Sequence, residues 1–193
     1  MVNPVDPAVP FADPIPPVPG TTRLLAAAEQ QQFRTWLNSL RPGGFAGGGG
    51  TTDPDNAYQL RIAGYPEREV PLAGKKRGLM VDGIRPADGY LVEAKHVRDP
   101  DRNEKSFRSL DRVEDALTKP VEVNSKGDRV GPRRRRMYAG DEKELVRYKQ
   151  AMANPANREI RGLEIVTNGQ DNAAYWQSMM AMTGTPGSTR HEP

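Results

Sequence analysis

The chain predicts an α/β (α+β) fold, a mixed sheet flanked by helices, on three observations. Apolar residues recur at helical spacing near the start, a strand-rich middle ends in a hairpin, and a helix, a strand and a further helix follow. The predicted order is helix, three strands, helix, strand, helix.

Residues 1–20 hold seven prolines, two aspartates and no basic residue, which reads as a linker, extended or disordered. In residues 21–40, Thr21-Thr22 would cap a helix whose stripe is Leu25, Phe33, Trp36, Leu37 and Leu40, and Arg41-Pro42-Gly43 would stop it. Glu29 falls inside that stripe, as an acid snorkelling at its edge or facing a metal site. Residues 41–57 form a glycine-rich connector; it lacks the Gly-Lys-Ser/Thr ending of a phosphate loop. Tyr58–Tyr65 reads as the first strand, and 66–73, with Pro66 and Pro71, as a bent or edge strand. Glu67 and Glu69 on it face solvent by default but remain candidate metal ligands.

Leu79–Ile84 and Tyr90–Val97 are apolar arms around the turn residues Arg85-Pro86-Ala87-Asp88-Gly89, which predicts an antiparallel hairpin. With Arg85 facing Tyr90, Asp82 lies opposite Glu93 and Met80 opposite Lys95. Alternation puts Glu93 and Lys95 on one face. Like charges opposed across a sheet repel, so Asp82 and Glu93 call for a cation between them, either Lys95 or a hard divalent ion that takes oxygen ligands. His96 lies on the other face, which disfavours it as a general base at this site.

Arg98–Asp115 mixes both charge signs and, with Phe107, Leu110, Val113 and Leu117, can form an amphipathic helix or an insertion. Lys119–Arg136 reads as a mobile loop with seven basic residues against two acids, a local balance of +5. Asp141–Ala153 is a predicted helix with Leu145, Val146, Lys149 and Met152 inward, Gly162–Thr167 a strand, and Asn168 a turn residue. Gln170–Met182 is a helix with Tyr175, Trp176, Met179 and Met180 on its core face. Residues 184–193 read as a frayed tail.

The 193 residues suffice for one domain with accessory segments. The absence of cysteine removes disulfides, thiolate catalysis and cysteine zinc sites. With no apolar run of membrane-spanning length and no signal-peptide core, neither membrane insertion nor self-directed export is expected. A net charge of +3 leans toward an anionic partner.

Asp82, followed after ten residues by Glu93-Ala94-Lys95, resembles the D…(D/E)xK signature of the restriction-endonuclease-like nucleases. With the stretches Tyr58 to Tyr65, Val81 to Arg85, Arg147-Tyr148 and Thr167-Asn168, the region from Tyr58 to Met182 resembles a restriction-endonuclease-fold toxin domain of bacterial polymorphic toxins. The resemblance implies an αβββαβ core, a nuclease domain in residues 58–183, and metal-dependent nuclease activity. Asp82, Glu93 and the Ala94 carbonyl would hold Mg²⁺ or Mn²⁺, Glu29, Glu67 or Glu69 would be accessory acids, and Lys95 would orient or activate the attacking water. Arg133, Arg134, Arg135, Arg136, Arg147 and Tyr148 would contact the nucleic-acid backbone. It further implies a toxin made in its producer's cytoplasm, carried by a delivery module, held in check by an acidic immunity protein and acting in the target cell's cytoplasm. DNA is the expected substrate, with RNA cleavage at the same site or a non-catalytic binding module as alternatives.

Overall fold

Two sheets are joined through one continuous stretch of chain, and the residue at which it passes from one to the other is Asp82. The computed structural model describes residues 3–46, 49–98, 108–118, 122–123, 125, 129–130 and 133–193. In chain order the elements are α1 (Ala27–Ser39), β1 (Arg41–Gly43), α2 (Pro54–Ala63), β2 (Glu67–Val70), β3 (Leu79–Val81), β4 (Gly83–Arg85), β5 (Tyr90–Lys95), α3 (Leu110–Thr118), β6 (Glu122–Val123), β7 (Arg129–Val130), α4 (Arg133–Met152), β8 (Gly162–Thr167), α5 (Gln170–Thr183) and β9 (Gly187–His191). Strands β1, β2 and β3 form an antiparallel sheet. A mixed sheet runs β4-β5-β8-β9, antiparallel at its first pair and parallel at the next two. The short strands β6 and β7 pair with each other. Among the described residues no helix is long and apolar enough to cross a membrane.

The hairpin keeps its predicted register, with Gly83 opposite Val92 and Arg85 opposite Tyr90. Its first arm does not continue, because β3 leaves to pair with β2, Met80 facing Glu69 and Val81 facing Arg68. Met80 is therefore not opposite Lys95, and Asp82 is a bend between two sheets, not a ladder partner of Glu93. Strand β5 is central in its sheet, and every residue of β8 is buried, as expected of parallel strands covered on both faces. The main core gathers Phe33 and Leu37 of α1, Leu91 of β5, Tyr148 of α4, Leu163 of β8 and Trp176 of α5.

Several segments depart from expectation. Tyr58–Tyr65 is not a strand: Asp53 caps α2 by accepting from the Asp55 and Asn56 amides, Pro54 opens it, and Tyr58, Ile62 and Ala63 are its buried side. What looks like alternation is a helical i, i+4 pair. Helix α1 starts at Ala27, not at Thr21, because the preceding residues are bound elsewhere: Thr22 Oγ1 donates to Asp88 Oδ2 at 2.8 Å and the Leu25 amide to the Ala87 carbonyl at 2.8 Å. Strand β2 is the centre of its sheet, not an edge.

The proline-rich start is a strap along the domain. Ala12 and Tyr65 exchange backbone hydrogen bonds, the Ile15 amide donates to the Ile62 carbonyl, and Val9 packs with Phe45 and Tyr65. Prolines lack an amide to satisfy, so such a segment can lie on a surface with few partners. A Cβ on Gly64 would meet the Ala12 carbonyl oxygen at 2.1 Å, so this glycine lets the strap seat. The C-terminal end is likewise ordered, as β9 beside β8.

Helix α4 begins at Arg133, eight residues before the expected Asp141, so part of the supposed basic loop is helical backbone. Its inward residues are Tyr138, Asp141, Leu145 and Tyr148, whereas Val146 and Lys149 are exposed. The side chains of Arg133–Arg136 lie outside the described residues, as does most of 119–132.

Candidate active site

Strand β5 sets the site. Its alternation turns Glu93 and Lys95 to the same side, and helix α4 brings Glu144 and Tyr148, one turn apart, onto them. Lys95 Nζ donates to Glu93 Oε1 at 2.7 Å and to Glu144 Oε1 at 2.9 Å. The Tyr148 hydroxyl donates to the other Glu93 oxygen, Oε2. From the bend, Asp82 Oδ2 accepts the Ala94 amide at 2.9 Å, so freeing that residue from the ladder lets it hold the strand carrying Glu93 and Lys95. Glu67, at the start of β2, is buried and accepts from Gln59 Nε2 at 2.8 Å and the Ala46 amide at 3.2 Å. The Lys95 and Glu144 side chains remain 23% and 32% exposed, which leaves the cluster open to solvent on that side.

The charges do not balance. Burial pushes the Asp82 carboxyl up to about 7; the Lys95 charge and the Ala94 amide oppose this, while Glu67 and Glu144 add to it. Burial also raises Glu93, with Asp82 repelling it, and raises Glu144, with Glu93 repelling it. Glu67 is raised by burial and, less, by Glu93. Burial works against the Lys95 ammonium, but Glu93, Glu144 and Asp82 outweigh it and raise its pKa, so the lysine is a cation. Burial and the Glu93 charge keep the Tyr148 phenol protonated. Three acids thus act on one ammonium, with Glu67 beside them. The lysine also sits 5.3 Å from the Trp176 ring centroid, on which Arg108 rests at 5.5 Å while gripping Asp141 at 2.8 and 2.9 Å.

Among the described residues no three acidic or histidine side chains are arranged to hold a metal ion. The chemistry of the donors nevertheless suits one: oxygen ligands only, several carboxylates raised by burial and mutual repulsion, and too little positive charge. A hard divalent cation fits this set.

Of the residues anticipated from sequence, Asp82, Glu93, Ala94, Lys95, Glu67 and Tyr148 come together. Glu29 does not join them: it caps α1 by accepting the Ala26 amide at 2.8 Å and pairs with Arg23 and Arg161. Glu69 is engaged with Arg41 and with the Gly78 amide. Arg147 points along α4 to the Gly78 carbonyl at 3.4 Å. His96 pairs with Asp55 at 2.6 Å and stacks on Tyr58, away from Glu93. Asn168 is more than a turn residue, since its side chain bonds both the amide and the carbonyl of Val97 and ties the end of β5 to that of β8. Glu144 is the member of the cluster that sequence reasoning misses. Its signal is the four-residue spacing to Tyr148, hidden when Val146 and Lys149 are assigned to the inner face.

Comparison with curated proteins and with solved structures gives no match. The family described as restriction endonuclease fold toxin 2 matches residues 54–186, from the start of α2 to the loop before β9 and across every residue of the cluster. With more than half of its length matched, the chain belongs to the restriction endonuclease fold toxin 2 family.

Proposed function

We propose that the chain is a metal-dependent nuclease toxin that hydrolyses phosphodiester bonds of DNA at the open end of the β4–β5 hairpin. The observation that carries this reading is the gathering of buried and half-buried carboxylates around Lys95, in the D…ExK spacing, within a family whose name marks it as a toxin of nuclease fold. Asp82 and Glu93, with the Ala94 carbonyl, would hold Mg²⁺ or Mn²⁺, Glu67 and Glu144 being the nearby acids. When bound, the metal supplies positive charge to the phosphate oxygens and polarises water. Lys95 acts as an ammonium: its acid neighbours keep it protonated, so it orients the attacking water and offsets the charge that develops on the phosphoryl oxygens. Tyr148 and Glu144 fix the two partners, Glu93 and Lys95, in place.

Such an activity would also attack the nucleic acid of the producing cell, so an acidic inhibitor and a carrier that delivers the toxin to a target cytoplasm belong to the same proposal. The test is incubation of the chain with plasmid and with total RNA, with Mg²⁺, with Mn²⁺ or with chelator. Cleavage of plasmid only with metal, abolished in folded Glu93→Gln and Lys95→Ala variants, is the expected result. Full activity of either variant would remove the site assignment, and cleavage of RNA alone would move the substrate.

A further inference from the structure

Beside the cluster, on the neighbouring face of α4, lies an open groove lined by Lys75, Lys76, Arg77, Lys143 and Arg147 over a floor that includes Leu72 and Val146. All five charged residues are basic, and among the described residues none of them is paired with a carboxylate. Elsewhere on the domain several surface arginines are paired with acids: Arg23 with Glu29, Arg34 with Asp13, Arg98 with Asp55, Arg158 with Glu159. Uncompensated like charge costs stability through self-repulsion, and five cations gathered without a counter-charge present a surface suited to a polyanion.

The groove is built from the same two elements as the site. Its loop wall, Lys75 to Arg77, leads through Gly78 into β3 and so to Asp82; its helix wall carries Lys143 and Arg147 beside Glu144 and Tyr148. Arg147 Nη2 donates to the Gly78 carbonyl at 3.4 Å, joining the two walls. Four residues of near-extended chain from Gly78 to Asp82 span about 13 Å, which corresponds to about four nucleotides at the rise of a duplex.

We propose that this groove is a docking track for the phosphate backbone of the nucleic acid, engaging the flank of the strand about four nucleotides from the bond cut. It rests on the nuclease reading for its location relative to the cut, and it names a surface distinct from the Arg133–Arg136 run. The groove meets phosphate, so it positions the substrate without reading its sequence.

The experiment measures binding of the full chain, in chelator so that nothing is cut, to a fluorescein-labelled 30-base-pair DNA duplex and to poly-glutamate over a range of KCl concentrations. Two groove variants, Lys75→Gln/Lys76→Gln/Arg77→Gln and Lys143→Gln/Arg147→Gln, are compared with a control, Arg23→Gln/Arg158→Gln, that removes charge elsewhere. Each phosphate that is no longer neutralised lowers the magnitude of the log–log salt slope by about 0.9, so the triple variant is expected to lose up to about 2.7 and the double variant up to about 1.8, with the control unchanged. Slopes unchanged in both groove variants, or lowered equally in the control, would overturn the track. Loss of poly-glutamate binding with the DNA slope intact would overturn it too, in favour of an acidic protein as the occupant. The nuclease reading is judged separately, by whether the wild-type chain cuts with metal: an inactive wild type whose slope still falls in the groove variants would leave the groove as a polyanion surface and discard the cut-site distance.

Discussion

One hairpin carries two charged clusters, and they are built on opposite terms. At the turn end Arg85, fully buried, donates to Asp88 at 2.9 and 2.8 Å, to Glu164 at 2.6 Å and to the Ile15 carbonyl at 3.2 Å; Asp88 also accepts from Thr22 at 2.8 Å and from the Tyr90 amide at 3.3 Å. Burial opposes the Arg85 charge, and the bonds to Asp88 and Glu164 raise its pKa in spite of it. At the open end, Asp82, Glu93 and Glu144 share the Lys95 ammonium with Glu67 beside them, and every one of these acids is pushed upward. In sequence the two look alike, acids and a base within a few residues of each other along the hairpin. Burial of charge therefore does not distinguish scaffold from site; an unanswered charge does.

The most severe test of that contrast is to break each cluster once. Arg85→Ala strands Asp88 and Glu164 in the interior and is expected to cost about 3–5 kcal/mol, read from the denaturant midpoint. Glu93→Gln removes one of several mutually repelling acids, so it should leave the midpoint unchanged or raised while abolishing cleavage. Equal destabilisation by both would mean that the open end is scaffold as well.

A smaller effect follows from the raised acids. Between about pH 4, where an unfolded aspartate titrates, and about 7, where Asp82 titrates in the fold, the folded chain holds protons that the unfolded chain has released. Stability must then fall as pH rises through that window. In chelator, Asp82→Asn should flatten this part of the melting-temperature profile between about pH 5 and 8, and Mg²⁺ should stabilise the wild type more at the upper end of that range than at the lower. A wild type and an Asp82→Asn variant with parallel profiles would show that Asp82 is not raised by its surroundings.

What is legible in the sequence divides along the same line as the clusters. The turn residues Arg85 to Gly89 fix the register of β4 against β5, and two-residue alternation puts Glu93 and Lys95 on one face, both local consequences of chain geometry. The β8 strand follows from a short apolar run, and the α5 core face from aromatic and Met residues at helical spacing. Asp82 stands out in the sequence, but its position at a bend does not, because the departure of β3 to β2 depends on Arg68 and Glu69, more than ten residues away. The strap and β9 read as loose ends, since proline content and terminal position say nothing about the glycines at 64 and 187 that let chain pack onto chain. Glu144 escapes because a search for apolar residues sets the inner face of α4, whereas the structure buries Asp141 and Tyr148 there. Polar residues on a buried face are what a site contributes and what a hydrophobicity pattern overlooks.

The finest discrimination between the two ends comes from single hydroxyls. Tyr148 donates to Glu93 Oε2, and with its own proton held by burial and by the Glu93 charge it remains a donor across the neutral range. Tyr148→Phe keeps the ring in the core and removes only that bond, leaving Glu93 to Lys95 alone. A bond to a charged group contributes about 1.5–3 kcal/mol, part of which is recovered by solvent at the open side, so cleavage should fall about tenfold. The loss should carry a signature that packing would not produce. A buried carboxylate deprived of a donor ionises less readily, so the acidic limb of the pH–activity profile should move to higher pH. Thr22→Val at the turn end also removes one hydroxyl donor from a buried acid, Asp88, but that acid retains Arg85 and the Tyr90 amide. It should leave the profile in place. A limb that stays put in Tyr148→Phe, as it does in Thr22→Val, would make Tyr148 a packing residue and narrow the site to Asp82, Glu93, Lys95, Glu144 and Glu67.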